Sequence, residues 1–161
     1  MLCEKKKAMD NQKKKILIIS AVALAALVLA FVFFSGRMKP HTVESMKECL
    51  ISMDYYNDNM AGYSLAGISD MGGLMKNGWT IFFYDYGNKS RDLDEMITLL
   101  EPELDSYSET KGSNYTIYEN ENQYNYCLIV RVENTLLELF GPKEQKEEIR
   151  SFATYLGYYR D

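Results

Sequence analysis

The hydrophobic positions of the chain form one uninterrupted block followed by shorter periodic segments. The block runs from Ile16 to Phe34, and Ser20 is its only polar residue. A helix of this length spans roughly 28 Å, close to the ~30 Å hydrocarbon thickness of a bilayer. A lone segment in lipid has to pair every backbone group internally, which only a helix can do. The pattern therefore predicts a transmembrane helix over residues 16–34.

Charged residues flank this block unequally. Residues 1–15 contain six lysines and two acidic residues, whereas residues 35–161 contain 12 basic and 21 acidic ones. Because positive charge is retained on the cytoplasmic side, we expect a cytoplasmic N-terminus and an outer C-terminal part. The predicted organisation is a basic cytoplasmic segment (1–15), a transmembrane helix (16–34), a linker (35–41) and an extracytoplasmic domain (42–161). The predicted location is the cell membrane, in single-pass topology, with the bilayer as the partner of Ile16 to Phe34.

Two other interpretations of the block stay open. A cleaved signal peptide also combines a basic start with an apolar stretch, and a soluble protein can bury an apolar helix. The block is longer than the ~7–15 residues of a signal-peptide core, which favours the anchor.

Residues 42–161 alternate between helical and strand periodicity. Apolar stripes at helical spacing begin after Thr42, after Ser90 or Asp92, and after Pro142. The predicted strands are Trp79–Tyr86, Tyr115–Glu119, Tyr124–Val132 and Thr135–Phe140, with a further short strand near Tyr63–Ile68. Strands joined by tight turns pair antiparallel. The predicted fold class is therefore α+β: after the transmembrane helix, a two-layer domain of antiparallel sheet with helices mainly on one face.

One strand suggests a binding surface. Alternation places Phe82, Tyr84 and Tyr86 on one face of the strand, opposite Trp79, Ile81 and Phe83. If the second set is core, the first is an aromatic stripe on an open sheet face, and Tyr118 extends it. Such a stripe can stack on sugars or dock peptides. The alternative is that the stripe is half-buried under the glycine-rich residues 60–78.

Cys49 and Cys127 both fall in the predicted outer domain, where an oxidising environment permits a disulfide. However, Cys127 is out of phase with the core-facing residues of its strand. Two separate buried thiols are the alternative.

Other reactive residue types form no recognisable catalytic or metal site. His41 is the only histidine, and its place beside Thr42 fits a helix start better than a zinc site. The segment around Ser64 is superficially similar to a nucleophile elbow, but no histidine follows it. The acidic cluster lacks the spacing of a calcium loop, and the helix dipole explains most of it. This cluster consists of Asp85, Asp92, Asp94 and Glu95. We expect no catalytic residue, no metal and no cofactor.

The C-terminal part of the chain resembles a group of small bacterial proteins. Residues 131–137, 143–149 and 155–158 carry a strand, an Asn-Thr turn, a second strand, a charged helix and a Leu-Gly-Tyr ending. This order resembles single-span proteins of Gram-positive bacteria, and the strand and helix within residues 80–111 are similar too. Those proteins are functionally uncharacterised, so the resemblance implies a membrane-tethered extracytoplasmic domain and assigns no catalytic residue.

The net charge of −5 excludes a wholly basic nucleic-acid binder. The sequence predicts a membrane-anchored, non-enzymatic binding module for a peptide, a protein partner or an envelope glycan. Two alternatives remain: an accessory subunit of a membrane complex, and an enzyme with an unrecognised carboxylate site.

Overall fold

The computed structural model describes residue 24 and residues 36–65, 67–104 and 106–160. Segment 1–15 and, apart from Leu24, the apolar block 16–34 lie outside these residues.

The helices of the domain contain 10, 15 and 10 residues, whereas a membrane span needs about 20. Among the described residues, no helix combines the length and the apolar character needed to cross a membrane. This finding contradicts the predicted fold class with its transmembrane helix, and likewise the single-pass membrane location.

Seven strands form one antiparallel sheet in the order β1-β2-β3-β7-β6-β5-β4. The strands are β1 Ala61–Leu65, β2 Ile68–Leu74, β3 Thr80–Asp85, β4 Ser108–Lys111, β5 Tyr115–Glu121, β6 Asn125–Val132 and β7 Thr135–Pro142. The helices are α1 Val43–Ser52, α2 Ser90–Leu104 and α3 Lys146–Tyr155, the last preceded by a 3₁₀ turn at Lys143–Gln145.

The helices pack on both faces of the sheet. On the first face, α1 and α3 cover a core that includes Trp79, Ile81 and Phe83. On the second face, α2 covers a smaller cluster of Tyr86, Leu93, Ile97, Ile129 and Leu136. The domain therefore has three layers, and the prediction of two layers with helices mainly on one face is wrong. The physical reason is that β6 and β7 are apolar on both faces, as central strands covered twice usually are.

The sequence predicts one short strand near residues 63–68, whereas the structure has two, β1 and β2, and glycines account for the difference. Gly67 turns the chain between them with a φ of +82°, a conformation that side chains rarely adopt. Gly72 continues β2 because the ring of Phe82 lies against its backbone, where a Cβ atom would clash. These glycines therefore serve a hairpin rather than a loop.

The start of the domain is held by a set of hydrogen bonds at one end of the sheet. The side chain of Asn114 accepts a bond from the backbone N–H of Met38 (3.1 Å) and donates one to its carbonyl oxygen (2.8 Å). His41 donates its backbone N–H to the hydroxyl oxygen of Tyr158 at 3.0 Å. Thr42 caps α1 in a reciprocal arrangement with Ser45. These bonds fix α1 against the first face.

Candidate functional site

The predicted aromatic stripe runs from exposed to buried along β3. Phe82 is 40% exposed, Tyr84 is half-buried, and Tyr86 is 4% exposed beneath α2. The hydroxyl of Tyr86 donates to the sulfur of Met96 at 2.6 Å. Tyr118 faces the same side but lies three strands away, beyond the buried Ile129. The structure thus leaves the first two residues of the stripe accessible and separates Tyr118 from them.

Part of the second face extends beyond α2, and we call it the open half. It consists of Ala61, Asp70, Gly72, Leu74, Phe82, Tyr84, Glu138 and Phe140, which the strand register places on one side of the sheet. Three of its members are large apolar side chains that remain exposed: Leu74 at 58%, Phe82 at 40% and Phe140 at 42%. Thr80 pairs with Leu74 on one side and Phe140 on the other, and Phe82 follows two residues later. The three exposed apolar side chains are therefore grouped around Thr80 on three neighbouring strands.

A shallow groove of about 260 Å³ runs through this surface. Its lining residues are Ala61, Asp70, Met71, Gly72, Phe82 and Tyr84. The ring of Phe82 lies against the backbone of Gly72 within this lining. This shape suits a flat or slender apolar group.

Glu138 is the unusual residue of the open half. It lies in β7 between Leu136 and Phe140, and its neighbours across the sheet are Phe82 and Ile129. Among the described residues, its half-buried carboxylate has no hydrogen-bonding or ionic partner. Burial raises the pKa of Glu138. An acceptor held in apolar surroundings without a partner gains from a donor or a cation supplied from outside.

The two charged residues of the open half, Asp70 and Glu138, are both acidic. Tyr84 lies between them, and burial together with these two carboxylates raises the pKa of its hydroxyl. The phenol therefore stays neutral and can donate a hydrogen bond. The surface as a whole offers aromatic rings, an aliphatic rim and negative charge.

A second polar cluster lies on the first face and is internally satisfied. Arg150 of α3 donates to both carboxylate oxygens of Glu119 in β5, from Nε to Oε1 at 2.9 Å and from Nη2 to Oε2 at 3.2 Å. The hydroxyl of Tyr126 donates to the same carboxylate. Burial alone would raise the pKa of Glu119, but these bonds and the charge of Arg150 lower it. Nearby, hydrogen bonds from Lys143 and Lys146 lower the pKa of Glu121 to about 2. This cluster joins α3 to the sheet.

The remaining candidate residues are engaged locally. His41 bonds the carbonyl oxygen of Leu156 through Nε2 at 2.9 Å and Ser45 through Nδ1 at 3.0 Å. Ser64 lies in β1, and its side chain is outside the described residues. Three of the four acidic cluster residues have basic partners: Asp92 with Lys89, Asp94 with Arg131, and Glu95 with Arg91. Within the described part of the chain, no three potential ligands converge on a metal site.

The two cysteines of the domain are free and lie on opposite faces of the sheet. Cys49 packs against the first-face cluster and Cys127 against the second. Burial raises the pKa of the Cys127 thiol, although a hydrogen bond with Tyr107 partly offsets this. The sheet separates the two sulfurs.

Sequence reasoning missed Leu74, Glu138 and Phe140. Glu138 offered a usable signal, since a carboxylate in the middle of an apolar strand alternates with Leu137 and Leu139. Leu74 gave none, because the glycine-rich stretch around it showed no strand pattern.

No family model matches the chain, and no curated protein matches it. One solved structure that it resembles is a GTP binding regulator from Thermotoga maritima. The two chains are 11% identical, and the match covers 75% of this chain and 91% of the other with a TM-score of 0.50. Neither result bears on the resemblance to single-span Gram-positive proteins, which stays a prediction. At this level of identity the likeness to the Thermotoga structure concerns the fold alone.

Proposed function

We propose that this protein is a non-enzymatic binding module that takes an apolar segment of a partner protein on the open half. The observation that carries the proposal is the exposure of three large apolar side chains on neighbouring strands of one sheet face: Leu74, Phe82 and Phe140. Contiguous apolar surface that remains in water is typical of interaction sites. Rings that are held by a rigid sheet bind with little loss of conformational freedom.

The charges define the chemistry of the partner. Asp70 and Glu138 favour a lysine or arginine within the bound segment. A cation near Glu138 also lies within reach of the ring faces of Phe82 or Tyr84, which adds a cation–π attraction. We therefore expect an apolar segment with at least one basic side chain.

Selection from a phage library of random dodecapeptides on the immobilised full chain tests this proposal. Enriched peptides should combine apolar residues with lysine or arginine. Their affinity should fall about tenfold or more for Phe82→Ser and Phe140→Ser, since large anchors dominate binding. Tyr124→Ser and Tyr155→Ser are matched controls, because these tyrosines are 69% and 66% exposed and lie outside the open half.

Circular dichroism would establish that each variant is folded. Peptides that bind all four variants equally, or a library without enrichment, would contradict the proposal. Retention of neutral oligosaccharides on a glycan array, lost in Phe82→Ser but with no peptide enriched, would replace the protein partner by a glycan.

A further inference from the structure

The described sheet has two edge strands, and they are protected differently. On β4, which is exposed throughout, Glu109 and Lys111 form an ion pair at 2.9 Å. Charged side chains on an edge disfavour pairing with another strand. By contrast, β1 contains no charged residue and no proline, and among the described strands it pairs with β2 alone. Its outer backbone groups are therefore open to a further strand.

Grooves flank β1 on both faces of the sheet. On the second face lies the 260 Å³ groove of the open half, which begins at Ala61. On the first face a groove of about 400 Å³ separates α1 from the edge. Gly62, which faces that side opposite Met71, contributes no side chain to fill it. The lining residues of this groove are Val43, Glu44, Lys47, Tyr56, Met60, Gly62 and Met71.

This arrangement matches the needs of strand addition. Successive side chains of a strand point to opposite faces of its sheet. A strand laid against β1 would therefore direct alternate side chains into the two grooves. In this mode, backbone hydrogen bonds supply affinity and the pockets supply specificity.

We infer that the partner segment binds in extended form as an eighth strand on the free edge of β1. On the second face its side chains lie beside Ala61 and reach toward the ring of Phe82, which lies against Gly72, and a basic side chain on the same face approaches Asp70. The inference rests on the proposed function and concerns the β1 side of the open half; contact with Glu138 and Phe140 in β7 is left to the part of the segment that continues beyond the added strand. A second copy of the chain is a poorer occupant, because it would bring another Asp70 and Glu138 to an acidic surface.

N-methylated peptides test this mode without altering the protein. The tightest dodecapeptide from the selection is synthesised in two forms, one methylated at odd backbone amides and the other at even ones. An added strand directs alternate amides toward β1 and the others toward solvent. One form should lose about tenfold or more in affinity for the full chain, since several hydrogen bonds are removed, while the other stays within about threefold.

A pair of variants tests the same edge from the protein side. Gly62→Lys imitates the charged protection of β4 and should weaken the unmethylated peptide about tenfold. Because a Cβ atom at Gly62 would lie 3.3 Å from the backbone carbonyl oxygen of Asp70, circular dichroism and urea denaturation of Gly62→Lys have to show that the variant keeps the fold. Thr110→Lys on β4 is the matched control and should leave the affinity unchanged.

The outcomes separate this inference from the proposed function. Equal affinity of the two methylated forms, together with a loss in Phe82→Ser, would overturn strand addition and leave the open half as the binding surface. Insensitivity to Phe82→Ser would overturn the proposed function itself. A dimer in light scattering that Gly62→Lys dissociates would assign the edge to a second copy. Photo-crosslinks from position 62 to residues 16–34 would assign it to this chain's own apolar block. Either result would overturn the inference.

Discussion

The two faces of the sheet differ in how completely helices cover them and in whether their carboxylates have partners. The first is covered by α1 and α3, and its aromatic rings pack against one another. The rings of Phe152 and Trp79, for example, meet edge to face with their centroids 5.8 Å apart. Its main carboxylate, Glu119, accepts hydrogen bonds from Arg150 and Tyr126. The second face is covered by α2 only in part, and it leaves Phe82 exposed and Glu138 without a described partner. We interpret the first face as the source of stability and the second as the source of binding.

Adjacent phenylalanines in β3 provide the sharpest test of this difference. Phe83 is fully buried on the first face, whereas Phe82 is 40% exposed on the second. Phe83→Ala should lower the free energy of unfolding by about 3–5 kcal/mol, because it leaves a cavity in a packed core. Phe82→Ala should cost only about 1 kcal/mol. Urea denaturation of both variants measures the contrast, and equal losses would show that the two faces contribute alike to stability.

Some features of the fold could be predicted because they depend on local sequence. The strand around Phe82 and Phe83 follows from a run of aromatic and β-branched residues, which prefer a pleated surface. The turn at Glu133 and Asn134 was also predictable, because two polar residues separate two apolar strands; the positive φ of 52° is at Glu133. Alternation likewise indicated which β3 residues share a face.

Other features depend on tertiary contacts that no local pattern encodes. Both faces of β3 are aromatic, so alternation could not indicate that α2 covers Tyr86 and stops short of Phe82. The strand β4 consists of exposed residues without apolar alternation. The charge of Glu138 stands out in its apolar strand, but its place beside Phe82 is known only when β3 and β7 are shown to be neighbours.

Conversion of carboxylates to amides compares the electrostatics of the two faces. Glu119→Gln keeps the shape of the side chain but removes the charge that Arg150 and Tyr126 share. We expect a loss of about 1–3 kcal/mol in the free energy of unfolding at pH 7, because Arg150 loses its ion pair and one of the two acceptor oxygens becomes an NH2 donor. Chemical denaturation measures this loss, with Glu144→Gln in the exposed 3₁₀ turn as a control. An unchanged stability would show that the cluster does not hold α3 to the sheet.

The pH dependence of this loss has a defined sign. The pKa of Glu119 in the folded protein lies below its ordinary value of 4.5. Its contribution is therefore fully present above pH 4.5 and disappears as the pH falls through the folded pKa. The stability difference between wild type and Glu119→Gln should shrink below pH 4.5. A difference that grows on acidification would contradict the assigned direction.

Glu138→Gln should have the smallest effect and the opposite sign. Burial raises the pKa of this carboxyl above 4.5, so its neutral form is favoured in the folded state. That stabilisation is fully present below pH 4.5 and disappears as the pH rises through the folded pKa. At pH 7 the variant should therefore be more stable than wild type, on the order of 0.5 kcal/mol, and the gain should vanish in acid. Urea denaturation between pH 4 and 8 tests this, and the same variant should bind the selected basic peptides less tightly. Because stability rises while affinity falls, the wild-type carboxylate would be explained by binding and not by folding. A variant that loses stability at pH 7 would instead make Glu138 a structural residue like Glu119. The interpretation of the second face as a binding surface and not a source of stability would then be wrong.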